Sequence, residues 1–384
     1  MLFGLGPLEI IGILVFILLI FLLPRFLRMR MISSITQVTL ELESLVEESK
    51  ELLIKLCQEK GTPDKDPLKL VENYMEFFVV PPVDLDPSGL VEKYQKILEL
   101  SEDRFEGMAQ NLAPDADSEW KSNIIMTLKS TLGLSGVFKM VRHNLVLAQK
   151  TGNLQMLLML QMSLPLVLRI VKAQLEGSKA FSNGTPIGDG LGPLIAGMLL
   201  KPSVELESRN GMVIGRREMD GRHVIIVRAQ GPGARVGKVG TTITSLIKEE
   251  GLKRIITVDA AVKLEGEKTG TIAEGIGVVM GGPGVDKWMI EESLVKGDLE
   301  TDAVIVKMSP EEAISHMNED LLQASKKALC VVRDAIYRSK IGSKVLVVGV
   351  GNSSGLPNII TDPGKIDIKK DKKEDKKEGR AWRF

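Results

Sequence analysis

The chain of 384 residues is 44% apolar and carries 50 basic and 50 acidic residues, a formal net charge of zero. That apolar share excludes a chain disordered throughout, the length allows two or more domains, and the balanced charge excludes nucleic acid as an expected partner. Two cysteines, Cys57 and Cys330, and three histidines, His143, His223 and His316, form no disulfide framework and no HxxxH or HExxH pattern; this removes most zinc enzymes and fits a reducing, cytosolic setting.

Residues 1–30, "MLFGLGPLEIIGILVFILLIFLLPRFLRMR", read as a transmembrane anchor. No polar residue interrupts 10–23, the apolar stretch reaches back to Leu2 across a lone Glu9, and the whole is long enough to span a bilayer. Arg25, Arg28 and Arg30 follow the apolar run and no basic residue precedes it, the reverse of a cleaved signal peptide. The positive-inside rule therefore predicts a single-pass cell-membrane protein, held in the membrane through residues 2–23, with its amino terminus outside and the bulk of the chain cytoplasmic. The bland alternative is a buried core helix.

Residues 31–180 read as a helical domain. Ile35, Val38, Leu42, Leu45, Ser49, Leu52 and Leu56 recur at alternating steps of three and four, a heptad seam over 35–56 that either pairs two copies as a homodimer or packs a helix on its own domain. Gly61 and Pro63 stop it, and "VVPPVDLDPSG" at 79–89 is a loop. Further helical patterns run over 90–112 and 119–150. The stretch 155–175, "QMLLMLQMSLPLVLRIVKAQL", is nearly apolar but contains Arg169; it reads as a buried helix with methionines filling the core in preference to a second span.

From 181 to 365 short β-branched runs alternate with helical ones, which predicts a three-layer α/β domain with a mixed sheet. The runs are "VELES", "GMVIGRREM", "HVIIVRA", "RIITVDAAV", "IGVVMGG", "DAVIVKM" and "KVLVVGVGN", with helices over 240–251, 290–296 and 310–339. Residues 366–384, with "KKDKKEDKKEGR" at 369–380, read as a disordered charged tail.

Sites in open α/β sheets form at the carboxyl ends of strands. Asp259 follows "RIITV", where a buried acid is costly unless paired, liganded or hydrogen-bonded, and is succeeded by a polar segment with Glu265, Glu267 and Glu274. Asp189, in "GTPIGDGLGP", precedes a helix whose N-terminus favours its charge. Brought together, two such acids can share a proton or hold one divalent metal, and either arrangement activates water against a peptide carbonyl. Standing alone, Asp189 is a helix cap and Asp259 a turn acid. The loops "QGPGARVGKVGTT" and "MGGPGVDK" could cradle phosphate, with Arg235 and Lys238 adding charge, but neither is a Walker loop. "VGVGNSSG" lacks the third glycine of a dinucleotide fingerprint.

In order, "IGDGLGPLIAGMLL", "GPGARVGKVGTTITSLIKEEGLKRIITVDAAV" and "GIGVVMGGPGVDK" make residues 185–314 resemble the fold shared by the spore germination proteases and the hydrogenase maturation endopeptidases. The resemblance implies a catalytic pair, Asp189 and Asp259, which also falls on two of the metal-contacting acids of the second family. The site would be lined by Gly190 and Gly192, Gly233 and Arg235, Gly282 and Gly284, and Asn352. Two departures stand out. The histidine expected near Met280 and Gly281 is absent, and no strand precedes "GTPIGD". "SKVLVVGVGNSSGLPN", at 343–358, has the look of that missing first strand and loop, so the domain is expected to be circularly permuted, with Asn352 brought to Asp189. The whole chain resembles an uncharacterised family of archaeal membrane proteins. The expected function is a membrane-anchored endopeptidase, aspartic or metal-dependent, acting on a cytosolic protein; the alternative is a non-enzymatic scaffold or ligand-binding protein that keeps the fold.

Overall fold

The computed structural model describes residues 6–63, 65–82, 89–282, 284–297 and 299–368. The charged tail 369–384, the start of the apolar stretch at 2–5 and residues 83–88 of the proline loop lie outside the described residues. Five helices come first: α1 (Pro7–Lys60), α2 (Pro67–Tyr74), α3 (Leu90–Leu112), α4 (Ser118–Thr151) and α5 (Leu154–Asn183). The chain divides into two compact units, and the division cuts through α1, α4 and α5. One unit takes the described residues of Met1–Ser49 and Leu132–Lys172, the other those of Lys50–Thr131 and Ala173–Phe384.

In the first unit α1 is continuous through Pro24 and leaves residues 10–23 exposed along their whole length. It is long and apolar enough to cross a membrane, and by length and composition alone so are α4 and α5. The buried line on α1 runs through Ile35, Thr39, Leu42, Val46 and Ser49, continuing as Leu53 and Leu56. Half of the expected seam is therefore kept, whereas Val38, Leu45 and Leu52 are only half-buried and Thr39, Val46 and Leu53 take their places. This burial arises within a single chain. The expectation of a buried, methionine-filled helix at 155–175 is corrected: Met159 is 66% and Met162 82% exposed, and α5 buries a narrow line, Leu157, Leu164 and Val171. Met156, Leu160, Val167, Leu168 and Ile170 are half-buried beside this line, and Leu175 extends it, so the covered stripe leaves the other face of 154–166 open.

The second unit is built around a seven-stranded sheet. A 3-10 turn (Gly188–Gly190) leads into α6 (Leu191–Leu199), followed by β1 (Leu206–Arg209), β2 (Met212–Met219), β3 (Arg222–Ala229), α7 (Val239–Glu250), β4 (Arg254–Val262), β5 (Thr271–Ile276), α8 (Gly284–Gly297), β6 (Glu300–Met308), α9 (Pro310–Ile314), α10 (Glu319–Tyr337) and β7 (Lys344–Gly349). The strand order is β1-β2-β3-β7-β4-β6-β5, with β3, β7, β4 and β6 parallel and the outer strands antiparallel. Two-residue turns fix the β1–β2 and β2–β3 hairpins: Asn210-Gly211 and Asp220-Gly221 all hold positive φ, the conformation that matches strand twist. Alternation then sorts the strands onto two faces. Ile226, Ile256, Val258, Val304, Val345 and Val347 pack with α6 and α10; Val227, Ile255, Leu346 and Val348 pack with α7 and α8. The layers are helix, sheet, helix, as the sequence predicts.

The last strand in sequence, β7, lies at the centre of the sheet, between β3 and β4, with Val227 opposite Val348 and Val258 opposite Gly349. One expected strand is corrected. "IGVVMGG" forms no ladder beyond its first residue; β5 is the preceding "TIAEGI". The alternation there has another cause: Val279 N–H donates to Thr257 Oγ1 at 3.1 Å and Gly281 N–H to Asp259 Oδ2 at 2.9 Å. Alternate N–H groups of the loop thus meet alternate side chains of β4, and side chains replace a backbone partner.

Candidate functional site

β4 outruns its neighbour. β7 ends opposite Val258, where Val350 N–H still donates to the Val258 carbonyl at 2.9 Å, while β4 continues to Val262 paired only with β6. Asp259 is the first β4 residue past that parting, not the strand's end. It is 3% exposed, and its two oxygens accept the N–H groups of Ala260 (2.7 Å) and Gly281 (2.9 Å).

Asp189 reaches the same place from the 3-10 turn ahead of α6. No side chain caps α6, so the cap reading of Asp189 is corrected; its Oδ2 accepts the Asn352 N–H at 3.0 Å, just after β7. The residue keeps some solvent contact, yet its carboxyl is withdrawn from water far enough that burial raises its pKa against the opposing pull of that N–H. At Asp259 burial acts first and the Asp189 carboxylate second; together they raise the carboxyl to about 7, with the Ala260 and Gly281 N–H groups opposing. Both carboxyls are thus pushed toward the protonated form, and the Asp189 carboxylate adds to the cost of ionising Asp259.

The lining residues expected from sequence divide sharply. Gly190 and Gly192 are buried packing positions: a Cβ on Gly192 would enter the carbonyl oxygens of Val350 and Val258, so glycine lets α6 close onto β7 and β4. Gly233 and the Arg235 guanidinium make contacts with α4, and among the described residues none of their contacts runs to either acid. Gly233 lies against Glu119, Ala234 N–H donates to Asn123 Oδ1 at 2.7 Å, and the Arg235 guanidinium holds the Ser118 carbonyl at 2.7 Å and hydroxyl at 2.6 Å. Gly282, at φ 86°, is exposed on the loop that Asp259 clamps, and Gly284 is exposed at the first residue of α8. Asn352 meets Asp189 through its backbone, while its side chain closes a turn onto Ser354 N–H at 2.9 Å.

Three features escape sequence reasoning. Ser353 is wholly buried; its hydroxyl reaches the Gln230, Gly233 and Arg235 carbonyls, and Ser354 Oγ donates to the Thr185 carbonyl, so "NSSG" knots the β7 exit to both the glycine loop and the Asp189 turn. Arg228, wholly buried on β3, donates to the carbonyls of Ala229, Leu356, Pro357 and Asn358, and burial pushes its pKa down to about 9. The one visible signal was an arginine inside the apolar run "HVIIVRA". Asp286 of α8 accepts the Gly240 N–H at 3.0 Å. A carboxylate of the chain itself thus meets the start of α7, where sequence placed phosphate.

A divalent metal fits this donor set poorly. Among the described residues no three His, Cys, Asp or Glu side chains converge, and each Asp259 oxygen already carries an N–H. Of the polar segment beyond Asp259, Glu267 pairs with Lys307 and Glu274 with Arg338, both on the flank.

Residues 187–357 match a domain of unknown function, the DUF1512 C-terminal domain, and residues 9–184 match the N-terminal domain of the same DUF1512 proteins of unknown function. No curated protein and no solved structure matches the chain. The C-terminal match contains Asp189, Asp259, β7 and "NSSG" together, and with the N-terminal match it spans nearly all of the described chain: the protein belongs to the DUF1512 family.

Proposed function

We propose that the protein is a membrane-tethered peptidase in which Asp189 and Asp259 share one proton and act together on a peptide bond of a protein partner. α1 holds it in the membrane, and the arginines after the apolar run keep the α/β domain on the cytoplasmic side. The ionised member of the pair takes a proton from water as the water oxygen bonds to the carbonyl carbon. The protonated member gives its proton to the carbonyl oxygen. As the C–N bond of the resulting diol breaks, the pair gives its proton to the amine nitrogen and takes one from a diol hydroxyl, which becomes the new carboxyl, so the pair is left again with one. The exposed loop residues Gly281 and Gly282 border Asp259 and offer a path for extended chain.

The observation that carries this reading is the juxtaposition of two buried carboxyls: acids from different segments meet where β7 and β4 part, and the Asp189 charge adds to burial in raising Asp259 to about 7. The central place of β7 and the Asn352 contact to Asp189 support the circularly permuted protease-like arrangement that the sequence resemblance implies. The test is incubation of the full chain in lipid nanodiscs with a proteome-derived peptide mixture in oxygen-18 water. New carboxyl termini carrying the heavy oxygen are expected from the wild type and from neither Asp189→Asn nor Asp259→Asn. Cleavage retained by both variants rejects the mechanism.

A scaffold reading has one observation in its favour. Asp259 and Thr257 clamp the 277–282 loop through its N–H groups, which is a structural task in itself. If the wild type cleaves nothing while Asp259→Asn frees the loop amides to exchange, the scaffold reading replaces the peptidase.

A further inference from the structure

The α4–α5 hairpin of the first unit has the composition of a lipid-binding element. From Leu132 to Lys172 its charged residues are Lys139, Arg142, Lys150, Arg169 and Lys172, five basic and no acidic. Residues 154–168 of α5 carry no charge at all, about 22 Å of helix. Near the hairpin tip Leu147, Leu154, Leu158 and Met159 are exposed. Methionine and leucine beside lysine and arginine are the side chains of an interfacial helix.

The tip is held at a defined point along α1. Arg28 Nη2 donates to the Gln149 carbonyl at 3.1 Å, and the turn at Gly152, φ 69°, lies against the same guanidinium. Arg28 is five residues past the apolar run, about 7 Å along the helix, which is the thickness of one headgroup layer. α5 then runs away from that point beside α1, as the Glu41–Lys172 ion pair at 2.6 Å shows. The hairpin therefore flanks the segment that follows the apolar run, not the run itself. Between Pro24 and Leu40, α1 also bears only basic charges, Arg25, Arg28 and Arg30.

We propose that this hairpin is a second membrane contact: its tip rests on the anionic phospholipid surface from which α1 emerges, with Leu154, Leu158 and Met159 entering the headgroup layer and the surrounding basic residues facing lipid phosphates. This rests on α1 being the membrane anchor. Two contacts with one bilayer restrict the swing of everything carried beyond α1 and α5, and anionic lipid holds the second in place.

The experiment uses the full chain in nanodiscs, in a Cys330→Ser background; Cys57 is buried. Nitroxides are placed one at a time at Met159→Cys, Leu166→Cys, Leu18→Cys and Ile341→Cys, and their accessibility to oxygen and to a water-soluble nickel chelate is measured. In phosphatidylglycerol-containing nanodiscs the oxygen-to-nickel ratio at Met159→Cys is expected to exceed that at Ile341→Cys severalfold. High salt or purely neutral lipid should lower it, since screening weakens the headgroup attraction. Leu166→Cys, about 18 Å farther along α5 than Leu154, should resemble Ile341→Cys. A Met159→Cys site as open to nickel as Ile341→Cys, with Leu18→Cys still in lipid, overturns the proposal alone. Leu18→Cys open to nickel overturns the anchor and the proposal with it. Shielding of Met159→Cys from both reagents, with spin–spin broadening, assigns the face to a second copy and also overturns it.

Discussion

Arg228 and Asp259 sit near the carboxyl ends of β3 and β4, both are buried, and in both burial pushes the pKa toward the neutral form. They are resolved in opposite ways. Among the described residues Arg228 has no carboxylate partner; its donors are spread over four main-chain carbonyls, three of them in the segment after β7. A cation satisfied by fixed backbone dipoles has nothing left to exchange, and it acts as a staple. Asp259 takes one N–H on each oxygen, keeps lone pairs over, and has a second acid beside it. It can gain or lose a proton without unravelling the strand. Buried charge by itself does not mark a site; unspent capacity next to a like charge is what makes Asp259, and not Arg228, the candidate.

The largest effect is expected at the staple. Arg228→Met should cost about 3–5 kcal/mol, because the Leu356 and Pro357 carbonyls lose their donor in a dry pocket. Arg228→Lys should recover only a part, since one ammonium cannot span four acceptors. Urea midpoints of the full chain in detergent check both, and a Met variant within about 0.5 kcal/mol of wild type would remove the distinction between staple and site.

Asp259 is expected to show itself in pH dependence. Its folded carboxyl, raised from 3.8 to about 7, holds a proton that the unfolded chain releases first. The associated stability is complete below about pH 4 and is lost as pH rises through about 7, a window worth up to about 4 kcal/mol. Asp189, shifted in the same direction, adds to this trend. Urea midpoints from pH 4.5 to 7.5 should therefore fall in the wild type and fall less steeply in Asp259→Asn, where only Asp189 still contributes. A wild-type midpoint that rises across this window would mean both acids are ionised in the fold.

Removing one acid tests the coupling directly. In Asp189→Asn the Asp259 titration, followed by isotope-edited infrared spectroscopy of the carboxyl band, should move down. It should stay above an ordinary aspartate, because burial is the larger cause and remains. An unmoved midpoint would separate the two acids.

The layers and most of the strands were legible because β-branched runs mark a buried sheet whatever its connections, and "RIITVDAAV" is β4 to the residue. "IGVVMGG" misled because alternation reports alternating environments, and Thr257 and Asp259 create that environment without a ladder. The acids were legible as isolated charges among small residues. Their surroundings were not: Gly192 and Gly233 are the same letter with opposite duties, one admitting α6 onto the sheet and the other meeting α4. Such contacts depend on segments far apart in sequence. The exposure of Met159 and Met162 is a further case, since an apolar residue carries no mark of which neighbour, if any, covers it.

Asp286 supplies the smallest expected effect and the sharpest control. It too is an acid whose carboxyl burial raises and a backbone N–H lowers, and it differs from Asp259 in that no second acid contributes to its shift. Its contact with Gly240 N–H places it at the start of α7, where a carboxylate satisfies an otherwise unpaired donor. Asp286→Asn should then cost about 1 kcal/mol, the worth of a cap, and leave the Asp259 carboxyl titration where it is. Asp189→Asn must move that titration and Asp286→Asn must not. If both move it equally, the response is a diffuse field of nearby carboxylates, and Asp189 and Asp259 are not a pair.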